Sequence, residues 1–168
     1  ELASLTKNKK KPAYTIEFKI YIKTDTIVET NSYPSWVKLK DNISYDQKNE
    51  MIDKLLKINK KWDKSIDNYH NLISYWMIKT NNYIGIKIKD SGLPFRVNNI
   101  KNSKVNAPKH LINIFKLKNI ESAYYSREVF EHKSLNLTYY THFTSPIRRM
   151  IDTIIHYYLT YNKKIRIN

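Results

Sequence analysis

The chain has 168 residues and a mass of 20.2 kDa, which is enough for one domain with its own hydrophobic core. It contains no cysteine, so disulfides and thiolate metal sites are excluded, and no apolar run is long enough to span a membrane. We therefore expect an intracellular protein, in a compartment that the sequence does not specify, with no membrane partner.

The net charge is +15, from 30 Lys and Arg against 15 Asp and Glu. A surplus of this size fits a polyanionic partner, and the 14 tyrosines and 3 tryptophans offer faces on which nucleic acid bases stack. Only five of the basic residues are arginine, so most of the charge also fits lysines that simply solvate the surface. Charge alone favours nucleic acid but does not separate an enzyme from a binding protein.

Two strands are predicted near the start of the chain. Apolar and polar residues alternate from Tyr14 to Ile22, as in a half-buried strand. Thr24 and Asp25 predict a turn, and Thr26 to Thr30 a returning strand, so the pair forms a hairpin. The residues predicted to share the apolar face of the first strand are Tyr14, Ile16, Phe18, Ile20 and Ile22.

After the hairpin, apolar residues recur every three or four positions, as in helices. Lys48 to Trp62 predicts an amphipathic helix, and a second begins near Ser65. The end of the second is ambiguous, because Ile84, Ile86 and Ile88 also alternate as in a strand. The apolar stripe predicted for the first helix consists of Met51, Leu55, Ile58 and Trp62.

Shorter elements are predicted beyond the second helix. Asp90-Ser91-Gly92 closes it, and Leu93 to Val97 is extended. Two short helices are predicted from Pro108 to Lys116 and from Asn119 to Tyr125.

The stretch from Tyr139 to Leu159 predicts a helix that begins with an anion site. Thr144 or Ser145 suits the N-cap and Pro146 the first helical position. Two arginines, at 148 and 149, then fall in the first turn, where the helix dipole disfavours cations by about 0.3–1 kcal/mol each. Free N–H groups beside two guanidinium groups form a phosphate site.

Residues 141–156 read T-H-F-T-S-P-I-R-R-x-x-D-x-x-x-H, which resembles the signature of the ribonuclease II family (RNB domain) of 3′-to-5′ exoribonucleases. Ala123 to Ser126, His132 and Leu135 to Leu137 resemble the family's approach to this signature. Asn81 and Arg96-Val97 match further upstream. The likeness is extensive from Ala123 to His156 and sparse before Leu72.

The resemblance implies an α+β fold, with an N-terminal β-hairpin followed mostly by helices. It also implies hydrolysis of single-stranded RNA to nucleoside 5′-monophosphates, with Mg²⁺ held by an aspartate cluster. No two aspartates here are adjacent or one residue apart. We therefore expect residues 1–168 to be the C-terminal portion of the catalytic domain. The metal ligands then lie outside this chain, the remainder of the domain is a partner, and the segment alone is inactive.

Arg148 is the residue that the resemblance places on the scissile phosphate, and its forked donors fit a phosphate bidentately. A structural alternative is an ion pair with Asp152, four residues on. For Arg149 the two interpretations are evenly balanced. The further candidate RNA contacts are His142, Thr144, Ser145, Tyr140 and Asn81, with capping an alternative for Thr144 and Ser145 and core packing for Tyr140.

Departures from the family pattern keep a second hypothesis open. Ser74 and Tyr75 stand where the family has two glutamates, Met150 replaces a tyrosine and Tyr157 an arginine. These changes favour a non-catalytic RNA-binding relative that has lost its metal site. A third possibility is a basic α+β domain with no role in nucleic acid binding. Half of a domain would also expose apolar surface, so we expect self-association.

Overall fold

The computed structural model describes residues 4–24, 26–99 and 121–162. The strands are β1 (Lys10–Tyr21), β2 (Thr26–Lys38), β3 (Phe95–Val97) and β4 (Tyr124–Ser126). The helices are α1 (Glu50–Trp62), α2 (Tyr69–Lys87) and α3 (Met150–Tyr161), and a 3₁₀ turn (Lys133–Leu135) precedes α3. The predicted α+β class and the N-terminal hairpin are confirmed, and the predicted helix from Pro108 to Lys116 lies outside the described residues.

The hairpin is longer than the sequence pattern indicates. Strands β1 and β2 pair antiparallel from Lys10 opposite Lys38 to Tyr21 opposite Thr26. The return strand continues through Pro34, which a two-stranded sheet tolerates because each strand has one unpaired edge. Tyr14 and Ile16 pack on the core as predicted, whereas Ile22 lies beyond the strand and is 60% exposed.

Helix α1 buries only part of the face predicted for it. Asn49 caps it by accepting from the backbone N–H groups of Met51 and Ile52. Met51 and Leu55 are exposed, and the buried residue of the helix is Asn59. The predicted stripe is wrong for Met51 and Leu55, whereas Ile58 and Trp62 are half-buried. The helix contacts α2 through Asp53, whose Oδ1 accepts from the Tyr69 hydroxyl at 2.5 Å.

Helix α2 settles the ambiguity at its end. It remains helical through Lys87, so Ile84 and Ile88 lie one turn apart and are both buried, while Ile86 between them is exposed. Gly92 follows with a φ of +74°, which confirms the predicted left-handed turn.

One hydrophobic core joins α2, β3, α3 and the segment before α3. Strand β3 pairs antiparallel with β4, Arg96 opposite Tyr125 and Val97 opposite Tyr124. The helix predicted from Asn119 to Tyr125 is therefore wrong over its described part, because the two tyrosines pair as a strand, which aromatic side chains favour. The buried members of the core are Ile84, Ile88, Leu93, Phe95, Val97, Phe143, Ile154 and Ile155.

Candidate functional site

The segment before α3 forms a turn, and the helix begins four residues later than predicted. Arg148 and Arg149 both donate their backbone N–H to the Ser145 carbonyl at 3.2 Å, which closes a turn over residues 145–149. Arg149 has extended backbone and is the N-cap of α3, without a side-chain cap. Thr144 and Ser145 therefore do not cap the helix, and the arginines precede its first turn.

The carboxylate of Asp152 holds this turn in place. Asp152 is fully buried and accepts from the Ser145 backbone N–H at 2.7 Å. It also accepts from Arg149 Nε at 3.0 Å and Arg149 Nη2 at 2.9 Å, so the guanidinium binds it through two donors. A buried carboxylate needs this compensation, because removing a charge from water costs several kcal/mol.

The partner of Asp152 is thus Arg149, and the alternative that pairs it with Arg148 is wrong. The i,i+4 pairing requires a helix that already includes residue 148, whereas Arg149 has extended backbone and α3 begins at Met150. Among the described residues, none forms a hydrogen bond or ion pair with the Arg148 guanidinium, which is exposed. Its neighbours Ile147 and Met150 are also exposed.

His142 lies between two cations and a tyrosine. Its Nδ1 is 2.6 Å from the Tyr125 hydroxyl, and the guanidinium of Arg96 lies 4.8 Å from the centroid of the Tyr125 ring. Burial lowers the pKa of His142, and with the positive charges of Arg149 and Arg96, against the opposing effect of Asp152, brings it to about 4. His142 is therefore neutral at neutral pH.

Tyr140 and Asn81 are both buried and bind each other. Asn81 Nδ2 donates to the Tyr140 hydroxyl at 3.1 Å, and Asn81 Oδ1 accepts from the Phe143 backbone N–H at 3.0 Å. Both side chains are less than 10% exposed. They position the segment that leads to the turn, and in this structure neither presents a surface to solvent.

Two further contacts fix the same segment. The Thr141 hydroxyl donates to the Pro94 carbonyl at 2.9 Å, and the ring of His156 stacks on Phe143 at 4.0 Å. Burial lowers the pKa of His156, whose Nε2 donates to the Phe143 carbonyl at 3.0 Å. The Thr144 hydroxyl oxygen is buried without a hydrogen-bond partner among the described residues.

The arrangement suits the binding of an anion. The backbone under Arg148 is fixed by a buried ion pair and its side chain is exposed, while Arg96, Arg149 and a neutral His142 lie close to one another. Arg96 and Tyr125 are the participants that sequence reasoning did not single out. The signal available for Arg96 was the rarity of arginine in a lysine-rich chain, five of 30 basic residues.

The described residues do not fit a metal site. No group of three or more His, Asp or Glu side chains in ranges 4–24, 26–99 and 121–162 lies close enough to hold an ion. Mg²⁺ prefers several oxygen ligands, with carboxylates among them. No step of the chemistry is therefore assigned to a metal bound by these residues.

The family is decided by a match that covers more than half of the chain. Residues 63–163 match the RNB domain. The chain belongs to the RNB domain family. The match includes α2, β3, β4, the turn and α3, and thus both the site and most of the core.

Relatives of known name agree with this assignment. Ribonuclease R of Chlamydia pneumoniae is 55% identical over 40 residues, which are 24% of this chain and 6% of that protein. Ribonuclease R of Mycoplasma genitalium is 40% identical over 57 residues, which are 34% of this chain and 8% of that protein. These aligned segments span less than a tenth of the curated relatives.

Solved structures share the fold over nearly the whole chain. Apo RNase R of M. genitalium gives a TM-score of 0.75 at 20% identity, over 94% of this chain and 38% of that one. The same enzyme in complex with double-stranded RNA gives 0.72 at 19% identity, over 93% and 43%. Yeast Ssd1, described as a pseudonuclease, gives 0.78 at 16% identity, over 98% and 31%.

In the part of the chain that the structure describes, no helix is long and apolar enough to cross a membrane.

Proposed function

We propose that this chain is part of a 3′-to-5′ exoribonuclease that hydrolyses single-stranded RNA to nucleoside 5′-monophosphates, with Arg148 on the scissile phosphate. The proposal is supported by the different surroundings of the two arginines. Arg149 is occupied by buried Asp152, whereas the Arg148 guanidinium is exposed and has no partner among the described residues. It is therefore available to a phosphate.

Arg148 would act by binding and by charge stabilisation. A guanidinium on a fixed backbone can orient a phosphodiester and offset the negative charge that develops on it in the transition state. The Mg²⁺ that the family resemblance implies would supply the activated water, with ligands from outside this chain. The remainder of the catalytic domain would then be the partner that completes the enzyme.

The test compares three variants for binding of a 3′-labelled single-stranded RNA, followed by anisotropy at two salt concentrations. Arg148→Ala should weaken binding about tenfold and reduce the salt slope by about 1, because one charged phosphate contact is lost. Arg148→Lys should recover only part of the affinity, since lysine lacks the fork. Arg127→Ala is the matched control, because Arg127 is an exposed arginine in the loop after β4.

Equal losses from Arg148→Ala and Arg127→Ala would contradict a specific role for Arg148. Cleavage is followed on a gel with Mg²⁺, and this chain alone should leave the RNA intact. Processive loss of 3′ nucleotides would show that the metal ligands are within the chain after all.

A non-catalytic RNA-binding relative is the second candidate, favoured by Ser74 and Tyr75 on α2 in place of two glutamates. The fold does not separate the candidates, because both RNase R and the pseudonuclease Ssd1 have it. The upstream part of the same reading frame does separate them. A D-x-D-D run there, with RNA hydrolysis by the longer protein, favours the enzyme, and its absence favours the binding protein.

A further inference from the structure

A groove of about 410 Å³ lies between the hairpin and α3. Pro34 and Trp36 of β2 line one wall, and His156, Tyr157 and Tyr161 of α3 line the other. Its volume falls in the range of small-molecule sites in proteins. Its lining includes no residue of the turn over residues 145–149, but Thr153 of the lining donates to the Pro146 carbonyl of that turn at 2.7 Å.

The walls present aromatic faces to solvent. Trp36 is 65% exposed, Tyr161 61% and Tyr157 40%. The ring centroids of Tyr157 and Tyr161 lie 4.9 Å apart, with the rings tilted by 46°, so the two tyrosines adjoin each other along the wall that α3 forms. Large aromatic side chains are usually buried over most of their area, and three of them exposed around a single groove indicate a binding surface.

The charge around the groove is positive. None of its lining residues is acidic. Lys10 Nζ lies 5.8 Å from the centroid of the Trp36 ring, and Lys10 pairs in register with Lys38. Lys9 and Lys40 at the same end of the hairpin are exposed as well. Cations beside exposed aromatic rings are the combination with which proteins bind single-stranded nucleic acid, by stacking bases and neutralising phosphates.

We propose that this groove is a second contact for single-stranded RNA, in which a base stacks on Trp36, Tyr157 and Tyr161 while Lys10 and Lys38 neutralise the adjacent phosphates. The inference rests on the proposed function and adds a subsite to it. At a rise of 1.5 Å per residue, Tyr157 and Tyr161 lie about 10 and 16 Å along α3 from Met150. A single oligonucleotide therefore reaches both the groove and Arg148.

The experiment measures anisotropy of a labelled single-stranded RNA of about 12 nucleotides, within the site sizes of such surfaces. Trp36→Ala should weaken binding about tenfold, and Trp36→Phe should recover most of it, because a phenyl ring still stacks. Tyr21→Ala is the matched control, an exposed aromatic residue at the opposite end of the same hairpin. Circular dichroism checks that each variant is folded.

A second RNA of the same length with abasic sites tests stacking directly. The Trp36→Ala change should not alter its affinity, because only phosphates remain to be bound. Equal loss with both RNAs, or loss with Tyr21→Ala as large as with Trp36→Ala, would overturn the proposal in favour of general charge or a protein partner.

The outcomes separate this inference from the proposed function. If Arg148→Ala weakens RNA binding and Trp36→Ala does not, the proposal that RNA binds in the groove is overturned and the proposed function still holds. The reverse pattern supports the groove and contradicts the role of Arg148. Unchanged binding in both variants contradicts both.

Discussion

At the scale of single residues, Asp152 fixes the positions of Ser145 and Arg149. Its buried carboxylate accepts from the Ser145 backbone and from two nitrogens of Arg149. The turn is therefore rigid where Arg148 departs from it.

We predict that Arg149→Ala lowers the free energy of unfolding by about 3 kcal/mol or more, because it leaves a buried carboxylate without its cation. Arg148→Ala, at an exposed neighbour, should change stability by less than about 0.5 kcal/mol. Urea unfolding of the two variants measures the difference. Similar stabilities would contradict the structural role assigned to Arg149.

The spacing of Arg148, Arg149 and Asp152 is visible in the sequence, but their contacts are not. The partner of Asp152 depends on where α3 begins. Pro146 after Ser145 predicts a helix start. The extended backbone at Arg149 delays that start to Met150, and only the folded chain shows this.

At the scale of elements, α2 and the segment at Tyr139–Tyr140 lie in direct contact. Gly85 of α2 faces the backbone of this segment so closely that an added Cβ would lie 2.9 Å from the Tyr139 carbonyl carbon. Asn82, also on α2, donates from Nδ2 to the Tyr139 carbonyl at 2.6 Å. Helix α2 thus fixes the start of the segment that leads from Tyr139 to the turn over residues 145–149.

We predict that Gly85→Ala destabilises the protein by up to about 2 kcal/mol. Alanine favours the helix by about 1 kcal/mol, but overpacking against unyielding backbone costs about 1–3 kcal/mol. Ile86→Ala, at the exposed neighbouring position, serves as the control and should change stability little. Urea unfolding gives both values, and a stabilised Gly85→Ala variant would show that the two segments are not in contact.

The spacing of apolar residues predicts that a helix or strand forms, but it does not always predict which face is buried, because that face depends on the element that packs against it. The hairpin and α2 form where their patterns predict them, although both strands are longer than predicted and α2 begins at Tyr69 rather than near Ser65. The buried face of α1 follows its pattern only in part, because its position against α2 is set by polar contacts such as Tyr69 with Asp53. Strand β4 is too short for any pattern and exists through its pairing with β3.

At the scale of the whole molecule, the described surface carries many exposed apolar side chains beside a net charge of +15. Exposed apolar surface favours association, whereas like charges oppose it. The balance depends on salt, because ions screen repulsion between molecules but leave apolar contacts in place. Exposed residues of this kind include Met51, Leu55, Ile147, Met150 and Phe130.

We predict that the chain self-associates and that association increases with salt concentration. Light scattering coupled to size exclusion should give a mass above 20.2 kDa that rises from low to high salt. Replacing Met51 and Leu55 by glutamine should reduce the effect, since both lie on the exposed face of α1. A monodisperse sample of monomer mass that unfolds cooperatively under all conditions would contradict this expectation.

The backbone contact between Asn99 and Glu121 lies just beyond the paired ends of β3 and β4. The Glu121 N–H donates to the Asn99 carbonyl at 3.0 Å, so two residues far apart in sequence lie side by side. Bringing together residues this far apart in sequence costs loop-closure entropy. A ladder of three residue pairs offsets that cost only together with the burial of Phe95 and Val97 in the core.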